Sequence, residues 1–328
     1  MSARRVAIVG AGLTGLACAQ ALRTGGTTVT VFERARAGGG RLATRRTDRG
    51  GFDHGAQYFT VRDPAFAGVV ARWEDRGLAA RWQPRLGRSE GGRPQPSPDP
   101  QPRWVGVPGM SALPRALLDG LALRTETEVV SLARVGESWT LRDATGHTHG
   151  PFDAVGVTVA ALQAAPLLAA HADFARQARN AAYTPCFALM AAFDAPLALP
   201  YDGVFVRDGA LAWIARDSSK PGRAAGERWV AHASPDWAEA HLETPAETLA
   251  PCLLAELATL TGDARPPEWT SCHRWRYALP RAPLGTACLW DAASGLGAAG
   301  DWCADGRVEG AYRSGEALAA AMLRPSSP

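Results

Sequence analysis

The sequence predicts an α/β fold, in which a Rossmann-type nucleotide-binding domain is joined to a second α+β domain built on an antiparallel sheet. Three observations predict it. The first 33 residues read as strand, glycine turn, helix and strand. Residues 166–282 mix helical stretches with separate strands, and a strand ending on Asp301 precedes a glycine-rich helix start near the C terminus.

The opening segment has every part of a dinucleotide-binding unit in register. Residues 6–9 are a short apolar run that predicts a buried strand. The run Gly10-Ala11-Gly12-Leu13-Thr14-Gly15 follows directly, and a helix is predicted from Leu13 until Gly25-Gly26 stops it. A second strand, residues 28–32, ends on Glu33.

Each glycine of this turn has a physical reason. Gly10 permits the tight turn, Gly12 lets the backbone approach a pyrophosphate, and Gly15 lets the helix pack closely on the strand. The helix N-terminus offers free N–H groups and the positive end of its dipole to the phosphates. Glu33 is placed to accept hydrogen bonds from the hydroxyls of an adenosine ribose. We therefore predict a bound dinucleotide.

Length and composition narrow the class of protein. A chain of 328 residues is long enough for two domains, and a net charge of +3 gives no sign of a nucleic-acid or membrane surface. The longest uncharged stretch, 154–170, contains Gln163 and Pro166 and is too short to span a bilayer. Six cysteines show no CxxC pair and no metal-like spacing, which favours reduced thiols in a cytoplasmic protein without a metal site.

An arginine-rich stretch follows Glu33. Gly39-Gly40-Arg41 is a flexible turn just beyond the predicted ribose-binding acid, and a guanidinium fork suits phosphate oxygens. We expect Arg41 to lie across the same pyrophosphate. Arg45, Arg46 and Arg49 are expected to form a solvated charged surface.

Residues 52–60 are aromatic, small and polar together, which is unusual for a surface loop. The pair Gly55-Ala56 lets the backbone come close to a planar ring. Gln57, Tyr58 and Thr60 supply hydrogen-bonding groups for a second ligand. A buried strand is the other interpretation of this segment.

The middle of the chain supplies the second domain. A helix is predicted over residues 64–76, the proline-rich segment 91–102 is a connector or a flap over substrate, and 125–159 reads as a strand meander. Pro251 is expected to kink or restart the helix of residues 245–260. The predicted dinucleotide-binding domain comprises 1–62, 103–165 and 284–328, and the predicted substrate domain comprises 63–102 and 166–283.

The C-terminal segment repeats the opening pattern, with an acid at a strand end and a glycine-rich helix start. A long cofactor needs contacts at both ends, and Asp301 can hold a ribityl chain. The helix start near Val308 and Glu309 can offer an N–H group and a positive dipole to the pyrimidine edge of a flavin. An ordinary strand-to-helix turn is the alternative.

Taken together, these motifs resemble the flavin amine oxidase superfamily and, more specifically, the bacterial renalases. One departure is Ala160, where such proteins commonly carry proline. The matching segments are Gly39-Gly40-Arg41, Gly55-Ala56-Gln57-Tyr58-Phe59-Thr60, Pro96-Ser97-Pro98, Arg103-Trp104-Val105-Gly106, Pro108-Gly109-Met110-Ser111, Ser219-Lys220-Pro221-Gly222-Arg223, His273-Arg274-Trp275 with Tyr277, and Gly300-Asp301-Trp302-Cys303 through Arg307-Val308-Glu309-Gly310-Ala311.

The resemblance implies noncovalent FAD and oxidation of the 2-dihydro and 6-dihydro isomers of NAD(P)H, with O2 reduced to H2O2. Flavin N5 carries that chemistry, and no protein group is expected to act as a catalytic acid or base. The expected cofactor contacts are Gly10, Ala11, Gly12, Leu13, Thr14, Gly15, Glu33, Arg34, Gly40, Arg41, Gly55, Ala56, Val129, Asp301, Val308 and Glu309. The expected substrate contacts are Gln57, Tyr58, Phe59, Thr60, Ser97, Trp275, Tyr277 and Arg307.

Two other functions stay open at this point. The first is an amine oxidase, in which a lysine acts through a water near the flavin. Lys220 is the only lysine, and Ser218-Ser219-Lys220-Pro221-Gly222 predicts an exposed turn, where the ammonium would be solvated. The second is a non-catalytic flavin-binding protein.

Overall fold

The computed structural model describes residues 3–97 and 99–324, so Pro98 of the proline-rich segment lies outside the described residues. The chain divides into two compact units. The first unit comprises Met1–Gly40, Pro114–Ala182 and Pro280–Pro328, and the second comprises Arg41–Leu113 and Tyr183–Leu279. Each unit is therefore assembled from separate stretches of chain.

The strands, in chain order, are β1 (Arg5–Val9), β2 (Thr28–Phe32), β3 (Thr44–Thr47), β4 (Gly50–Asp53), β5 (Ala79–Trp82), β6 (Leu86–Ser89), β7 (Gln95–Pro96), β8 (Arg103–Gly106), β9 (Ala122–Arg124), β10 (Val129–Val135), β11 (Ser138–Asp143), β12 (Thr148–Phe152), β13 (Ala154–Val157), β14 (Tyr183–Phe193), β15 (Gly203–Val206), β16 (Leu211–Arg216), β17 (Glu227–Ala233), β18 (Trp269–Pro280), β19 (Leu289–Asp291) and β20 (Leu296–Ala298). The α-helices are α1 (Leu13–Thr24), α2 (Pro64–Asp75), α3 (Ala112–Leu117), α4 (Ala161–Leu167), α5 (Ala172–Asn180), α6 (Pro235–Ala240), α7 (Ala246–Thr261) and α8 (Val308–Leu323).

The first unit is built on a six-stranded sheet with the order β19-β20-β13-β1-β2-β9. Every pair in it is parallel except β19 with β20. The central strands β1 and β13 are apolar and buried on both faces, as parallel strands between helices must be. The predicted Rossmann-type α/β architecture is confirmed.

Helices α1 and α8 pack against each other in the core of this unit. Leu16 and Leu22 of α1 join Leu318 and Met322 of α8 in one buried cluster with the strands. The two helices approach closely at Gly315, where an added Cβ would overlap the Thr14 carbonyl oxygen. Both predicted helix starts, at Leu13 and close to Val308, are confirmed.

The predicted meander is a three-stranded antiparallel sheet with the order β10-β11-β12. Its first strand begins at Val129. The chain just before this strand lies beside the end of β2 in space, since Thr127 N donates to Glu33 O at 2.9 Å. Asp143 forms the turn between β11 and β12 by accepting from the backbone N–H groups of Thr145 and His147. The meander therefore starts beside the acid that ends β2.

The second unit is built on a seven-stranded sheet with the order β18-β14-β17-β16-β15-β6-β7. Strand β17 pairs antiparallel with β14 and β16, β15 pairs antiparallel with β16, and β6 pairs antiparallel with β7, whereas β15 and β6 are parallel. This largely antiparallel sheet confirms the predicted α+β character. Helices α6 and α7 cover one face through a buried apolar cluster that includes Leu189, Ile214, Trp229 and Leu253. The opposite face is free of that helical layer.

Two expectations differ from the structure. Helix α7 does not restart at Pro251, and Leu249, Leu253 and Leu257 pack in the core on both sides of that position; a kink there stays a prediction. Residues 41–62 and 103–113 belong to the second unit, although the sequence-based division placed them in the dinucleotide-binding domain, and residues 166–182 and 280–283, which it placed in the substrate domain, belong to the first unit. Strand β8 pairs with β5, and Asp53 accepts from Met110 N, so these segments are tied to the second unit. In the described part of the chain, no helix is long and apolar enough to span a membrane.

Candidate functional site

The glycine turn of the first unit has the geometry of a phosphate-binding loop. Gly10 has a φ of 107°, which favours glycine, and its N–H donates to Phe32 O at 2.8 Å. An added Cβ on Gly15 would overlap the Gly10 carbonyl oxygen, so the helix packs as closely as predicted. An added Cβ on Gly12 would meet no atom within 4 Å. Space therefore exists beside Gly12 for a phosphate group.

The N-terminus of α1 is open to an anion. Its cap residue, Gly12, has no side chain that could cap the helix, and the first turn carries no acidic residue. Since the first N–H groups of a helix have no partner within the helix, an anion can satisfy them.

Glu33 lies at the end of β2 and already holds two backbone groups. Its carboxylate oxygens accept from Ala11 N and Ala35 N, each at 2.9 Å. Each oxygen retains acceptor capacity for a ribose hydroxyl. The residues that directly follow Glu33 line one side of a cleft of about 430 Å³. Its lining residues are Arg34, Ala35, Arg36, Glu126, Glu128, Asp143, Ala144 and Thr145. Glu128 of this lining directly precedes Val129, whose contact with an adenine stays a prediction.

The turn before Arg41 packs on the glycine loop. Gly39 N donates to Ala11 O at 2.8 Å, and Gly40, with a φ of 51°, would bring an added Cβ to 3.4 Å from the Gly12 Cα. Arg41 itself belongs to the second unit, where its Nη1 donates to Ala278 O at 2.9 Å. Its contact with a pyrophosphate stays a prediction.

The predicted second cofactor end lies at the start of α8. Asp301 is buried, and its carbonyl accepts from Gly306 N at 2.9 Å, which closes the turn into the helix. Arg307 is the N-cap residue and makes no side-chain capping bond, so this helix end is also suited to an acceptor such as a flavin carbonyl. The residues present at both ends of the first unit thus fit a flavin dinucleotide. The described residues hold no group of three or more His, Cys, Asp or Glu that could bind a metal.

The second unit contains a buried charged cluster, which we define as Asp53, Asp217, Lys220 and Arg223. Lys220 Nζ lies 2.6 Å from Asp217 Oδ1, 3.2 Å from Gln57 Oε1 and 3.5 Å from Asp53 Oδ2. The side chains of Asp53, Asp217 and Lys220 have no exposed surface, and that of Arg223 is 3% exposed. Arg223 also pairs with Asp53 through Nη2.

The prediction that Lys220 is a solvated residue of an exposed turn was therefore wrong. The turn exists, as the short helical segment 217–219 shows, but the lysine side chain points inward. Asp217, three residues earlier, and Asp53 from a distant part of the chain supply the charges that make burial of the ammonium tolerable. The sequence did carry one signal, because the single lysine follows an aspartate at the i+3 spacing.

The two aspartates of the charged cluster have opposite pKa shifts. Burial raises the pKa of Asp217, and the Asp53 charge adds to that effect. Burial also opposes ionisation of Asp53, but Lys220 and Arg223, together with hydrogen bonds from Thr44 and Met110, lower its pKa overall. Asp53 is thus held as a carboxylate, whereas Asp217 is the member that takes up a proton more readily.

Gln57 connects the charged cluster to His232 and, through the His54 carbonyl, to Trp275. Its Oε1 accepts from Lys220, its Nε2 donates to Asp53 O, and the same nitrogen lies 3.5 Å from His232 Nε2. The His54 carbonyl lies 3.2 Å from His232 Nε2 and accepts from Trp275 Nε1 at 2.9 Å. The predicted residues Gln57 and Trp275 are thus brought together, with Gln57 as a buried link.

The histidines of this group are kept neutral. Burial lowers the pKa of His232 to about 4, and burial together with His273 and Arg45 lowers the pKa of His54 to about 4. Both imidazoles are uncharged at neutral pH. They can therefore serve as hydrogen-bonding or stacking groups but not as cations.

The remaining predicted substrate residues are distributed as follows. Tyr58 is half-buried, with the Arg103 guanidinium 5.0 Å from its ring centroid, whereas Phe59 is core, packed on Phe66, Trp73 and Trp104. Tyr277 lies 5.7 Å from the ring of Tyr183, and Thr60 and Ser97 are half-buried. Arg307 is exposed and lies in the first unit, apart in the chain from the others.

Gly55 and Ala56 lie between the two anchored residues Asp53 and Gln57. Ala56 N donates to Arg41 O at 2.9 Å, and an added Cβ on Gly55 would overlap that oxygen. The backbone of this segment, hereafter the 53–57 loop, is therefore fixed at both ends and in the middle. Such a rigid segment can present main-chain atoms to a planar ring.

Fold and site together define a flavin-containing oxidoreductase. Residues 65–323 match the family of flavin containing amine oxidoreductases, and residues 8–73 match the NAD(P)-binding Rossmann-like domain. The first match spans well over half of the sequence, so the chain belongs to the flavin amine oxidase family.

Two curated proteins are similar to parts of the chain. The tRNA 5-methylaminomethyl-2-thiouridine biosynthesis bifunctional protein MnmC of Magnetococcus marinus is 32% identical over 210 residues, which are 51% of this chain and 31% of that protein. Protoporphyrinogen oxidase 2 of Arabidopsis thaliana is 37% identical over 83 residues, which are 25% of this chain and 16% of that protein. The chain thus spans less than a third of either relative.

Solved structures share the whole fold at low sequence identity. A protein from Exiguobacterium sp. 255-15, provisionally named a protoporphyrinogen oxidase, matches with a TM-score of 0.82 and 15% identity over 98% of this chain and 99% of that one. Cyclohexylamine oxidase from Brevibacterium oxydans matches with a TM-score of 0.78 and 15% identity over the same shares of the two chains. These matches establish the fold.

Proposed function

We propose that this protein is an FAD-dependent oxidase of the renalase type. It takes a hydride from the 2-dihydro or 6-dihydro isomer of NAD(P)H and passes two electrons to O2. The overall reaction consumes one dihydronicotinamide, one proton and one O2, and it yields NAD(P)+ and H2O2. The flavin supplies the hydride acceptor, and the protein aligns the donor carbon against it.

The observation that carries the proposal is the engagement of Lys220. Its ammonium has three N–H donors, and three acceptors surround it, on Asp217, Gln57 and Asp53. The ammonium is thus directed at protein acceptors, with hydrogen bonds to Asp217 and Gln57 and an ion pair with Asp53, rather than at a water for amine chemistry. A dihydronicotinamide becomes an aromatic cation on loss of hydride, so its oxidation needs no lysine-bound water.

The neutral histidines fit the same chemistry. Because the nicotinamide gains a positive charge during hydride transfer, a nearby imidazolium would oppose the reaction by Coulomb repulsion. Burial keeps His54 and His232 uncharged, with pKa values of about 4. The site can therefore accommodate a developing cation.

Noncovalent attachment of FAD is part of the proposal. Covalent flavin linkage through a cysteine requires a nucleophilic thiolate. Cys303 follows the predicted ribityl-binding acid, but it is buried, and burial together with Cys288 and Asp301 raises the pKa of its thiol. The thiol stays protonated and is a poor nucleophile.

An anaerobic rapid-mixing experiment tests the function. The purified holoenzyme is mixed with 2-dihydro-NAD(P), 6-dihydro-NAD(P), ordinary NADH and a panel of primary amines, and the flavin absorbance is followed. We expect only the two unusual isomers to bleach the flavin within a turnover. Bleaching by an amine and by neither isomer would refute the proposal.

The amine oxidase alternative gains support from one observation. Lys220 is buried rather than solvated, as a lysine acting near a flavin would have to be. Bleaching by amines in the same experiment, lost in Lys220→Met, would establish that function. A folded, flavin-loaded protein that no reductant bleaches would instead indicate a non-catalytic flavin-binding protein.

A further inference from the structure

The face of the seven-stranded sheet opposite α6 and α7 carries a continuous row of side chains. Successive strand pairings place these residues directly beside one another, so they lie on one face. The pairs are Ala188 with His232, His232 with Trp213, Trp213 with Phe205, Phe205 with Arg88, and Arg88 with Gln95. Their sequence neighbours Val204 and Ile214 point to the other face, into the helical layer.

Aromatic rings occupy the middle of this row. The ring centroids of Trp213 and Phe205 are 4.7 Å apart, and those of Trp213 and Tyr58 are 5.7 Å apart. Trp213 packs over Gly203, where an added Cβ would lie 2.5 Å from its Cη2 atom. Phe205 and Tyr58 are half-buried, so both rings have surface on which a planar ligand can stack.

Trp213 holds a polar group that the protein leaves unsatisfied. The residue is 8% exposed, and its Nε1–H is buried without a hydrogen-bond partner among the described residues. A buried indole N–H usually has an acceptor, and leaving it unpaired costs free energy. By contrast, Trp229 on the helical side of the sheet donates its Nε1–H to Glu227 at 2.7 Å. The unpartnered indole N–H of Trp213 thus lies on the face without helices.

We propose that Trp213 sets substrate specificity by donating a hydrogen bond to an acceptor on a planar heteroaromatic ring that stacks against Tyr58 and Phe205. The proposal rests on the proposed function and names a residue that selects its substrate. The carboxamide oxygen of a nicotinamide and a ring nitrogen of an adenine both provide this chemistry. A simple alkyl amine provides neither a ring nor an acceptor.

Binding of oxidised, non-reacting ligands to the holoenzyme tests the proposal. The probes are nicotinamide mononucleotide, the matching pyridine mononucleotide without a carboxamide, and AMP, titrated by calorimetry. If the ring is a nicotinamide, we expect the wild-type protein to bind nicotinamide mononucleotide about tenfold more tightly than the pyridine analogue, since one hydrogen bond separates the two ligands. In Trp213→Phe, which keeps a ring but lacks the N–H, that advantage should disappear. If the ring is an adenine, we expect the wild-type protein to bind AMP about tenfold more tightly than Trp213→Phe does.

Phe205→Leu is the matched comparison. This variant removes the aromatic ring at position 205 and keeps the Trp213 donor, so it should lower the affinities for the nicotinamide and pyridine ligands by the same factor. Loss of AMP affinity in Trp213→Phe, with the nicotinamide ligand unaffected, would support the proposal and assign the ring to adenine. Flavin content and melting temperature establish that each variant is folded.

Two results would overturn the proposal. One is unchanged affinity of Trp213→Phe for both nucleotides. The other, which needs no variant, is equal wild-type affinity for the nicotinamide and pyridine ligands together with no detectable AMP binding. Since none of these ligands reacts, the binding result is independent of turnover. A protein that fails to oxidise dihydronicotinamides can still show the Trp213-dependent binding, and the reverse also holds.

Discussion

Replacement of Lys220 by methionine is the most direct test of the charged cluster. Methionine retains the length and apolar stem of lysine and removes its charge. Asp217 and Asp53 would then be buried with two cations, Arg223, whose Nε lies 4.0 Å from Asp217 Oδ2, and Arg228, which interacts electrostatically with Asp217. Removing one partner of a buried ion pair typically costs about 3 to 5 kcal/mol.

The cost of protonating Asp217 gives a second, independent estimate of how far Lys220→Met is destabilised, and it is of similar size. The variant can avoid a second buried negative charge by protonating Asp217, whose pKa is already raised by burial. Protonating a carboxyl of ordinary pKa, about 3.9, costs about 4 kcal/mol at pH 7 and about 1.5 kcal/mol at pH 5. We therefore expect Lys220→Met to be destabilised by up to about 4 kcal/mol at pH 7, or roughly 10 °C in melting temperature.

The pH dependence gives the sharper readout. In the variant, native Asp217 holds a proton that the unfolded chain releases above about pH 4. The native state then binds more protons than the unfolded state, so its stability falls as pH rises. Thermal melts of variant and wild type at saturating FAD, from pH 5 to pH 8, should show a gap that widens with pH.

Arg93→Met is the control, because Arg93 is an exposed cation on the same unit. Its effect should stay within about 0.5 kcal/mol at every pH. If Lys220→Met melts within a degree of wild type across this range, the ammonium is not the counter-charge of a buried carboxylate, and the described cluster is wrong.

Three further outcomes are expected. Glu33→Ala should weaken FAD retention by about 1 to 3 kcal/mol, measured by equilibrium dialysis, because two backbone N–H contacts and the ribose acceptor are lost together; unchanged retention would exclude the ribose role. Acid precipitation should release all flavin from the peptide, and flavin remaining on Cys303 would contradict noncovalent binding. Wild-type stability should fall as pH drops from about 6.5 towards 4, because the unfolded chain protonates histidines that the native state keeps neutral. His232→Gln should flatten that part of the melting profile, since the pKa of His232 is lowered to about 4 by burial.

The nucleotide-binding part of the fold was predictable because its signals are local. Strand β1, the glycine turn, α1 and β2 follow one another in 28 residues, and each boundary has its own cause, such as the strand-ending Glu33. The start of α8 was predictable for the same reason. The predicted contacts of these residues with a flavin stay predictions, since they concern a ligand rather than the fold.

The charged cluster was not predictable, because its members are distant in sequence. Asp53 and Lys220 are separated by more than 160 residues and meet only when β4 and the turn after β16 pack in the second unit. Local chemistry around Lys220, with serines, proline and glycine, is that of an exposed turn. Burial of an ion is decided by tertiary pairing, which no window of sequence reports. The burial of Phe59 was not predictable for a related reason, because its core partners come from α2 and β8.

The charged cluster is better explained by geometry than by stability. Well-packed apolar residues often stabilise a core as much as a buried ion pair does, so stability alone would not require a lysine and two aspartates here. Hydrogen bonds to charged groups are directional, however, and Lys220 contacts both Asp53 and Gln57, the two ends of the 53–57 loop. An apolar side chain could fill the same volume without fixing either end. The cluster therefore sets where the main chain of Gly55 and Ala56 lies, which is the property that a segment facing a planar ring needs.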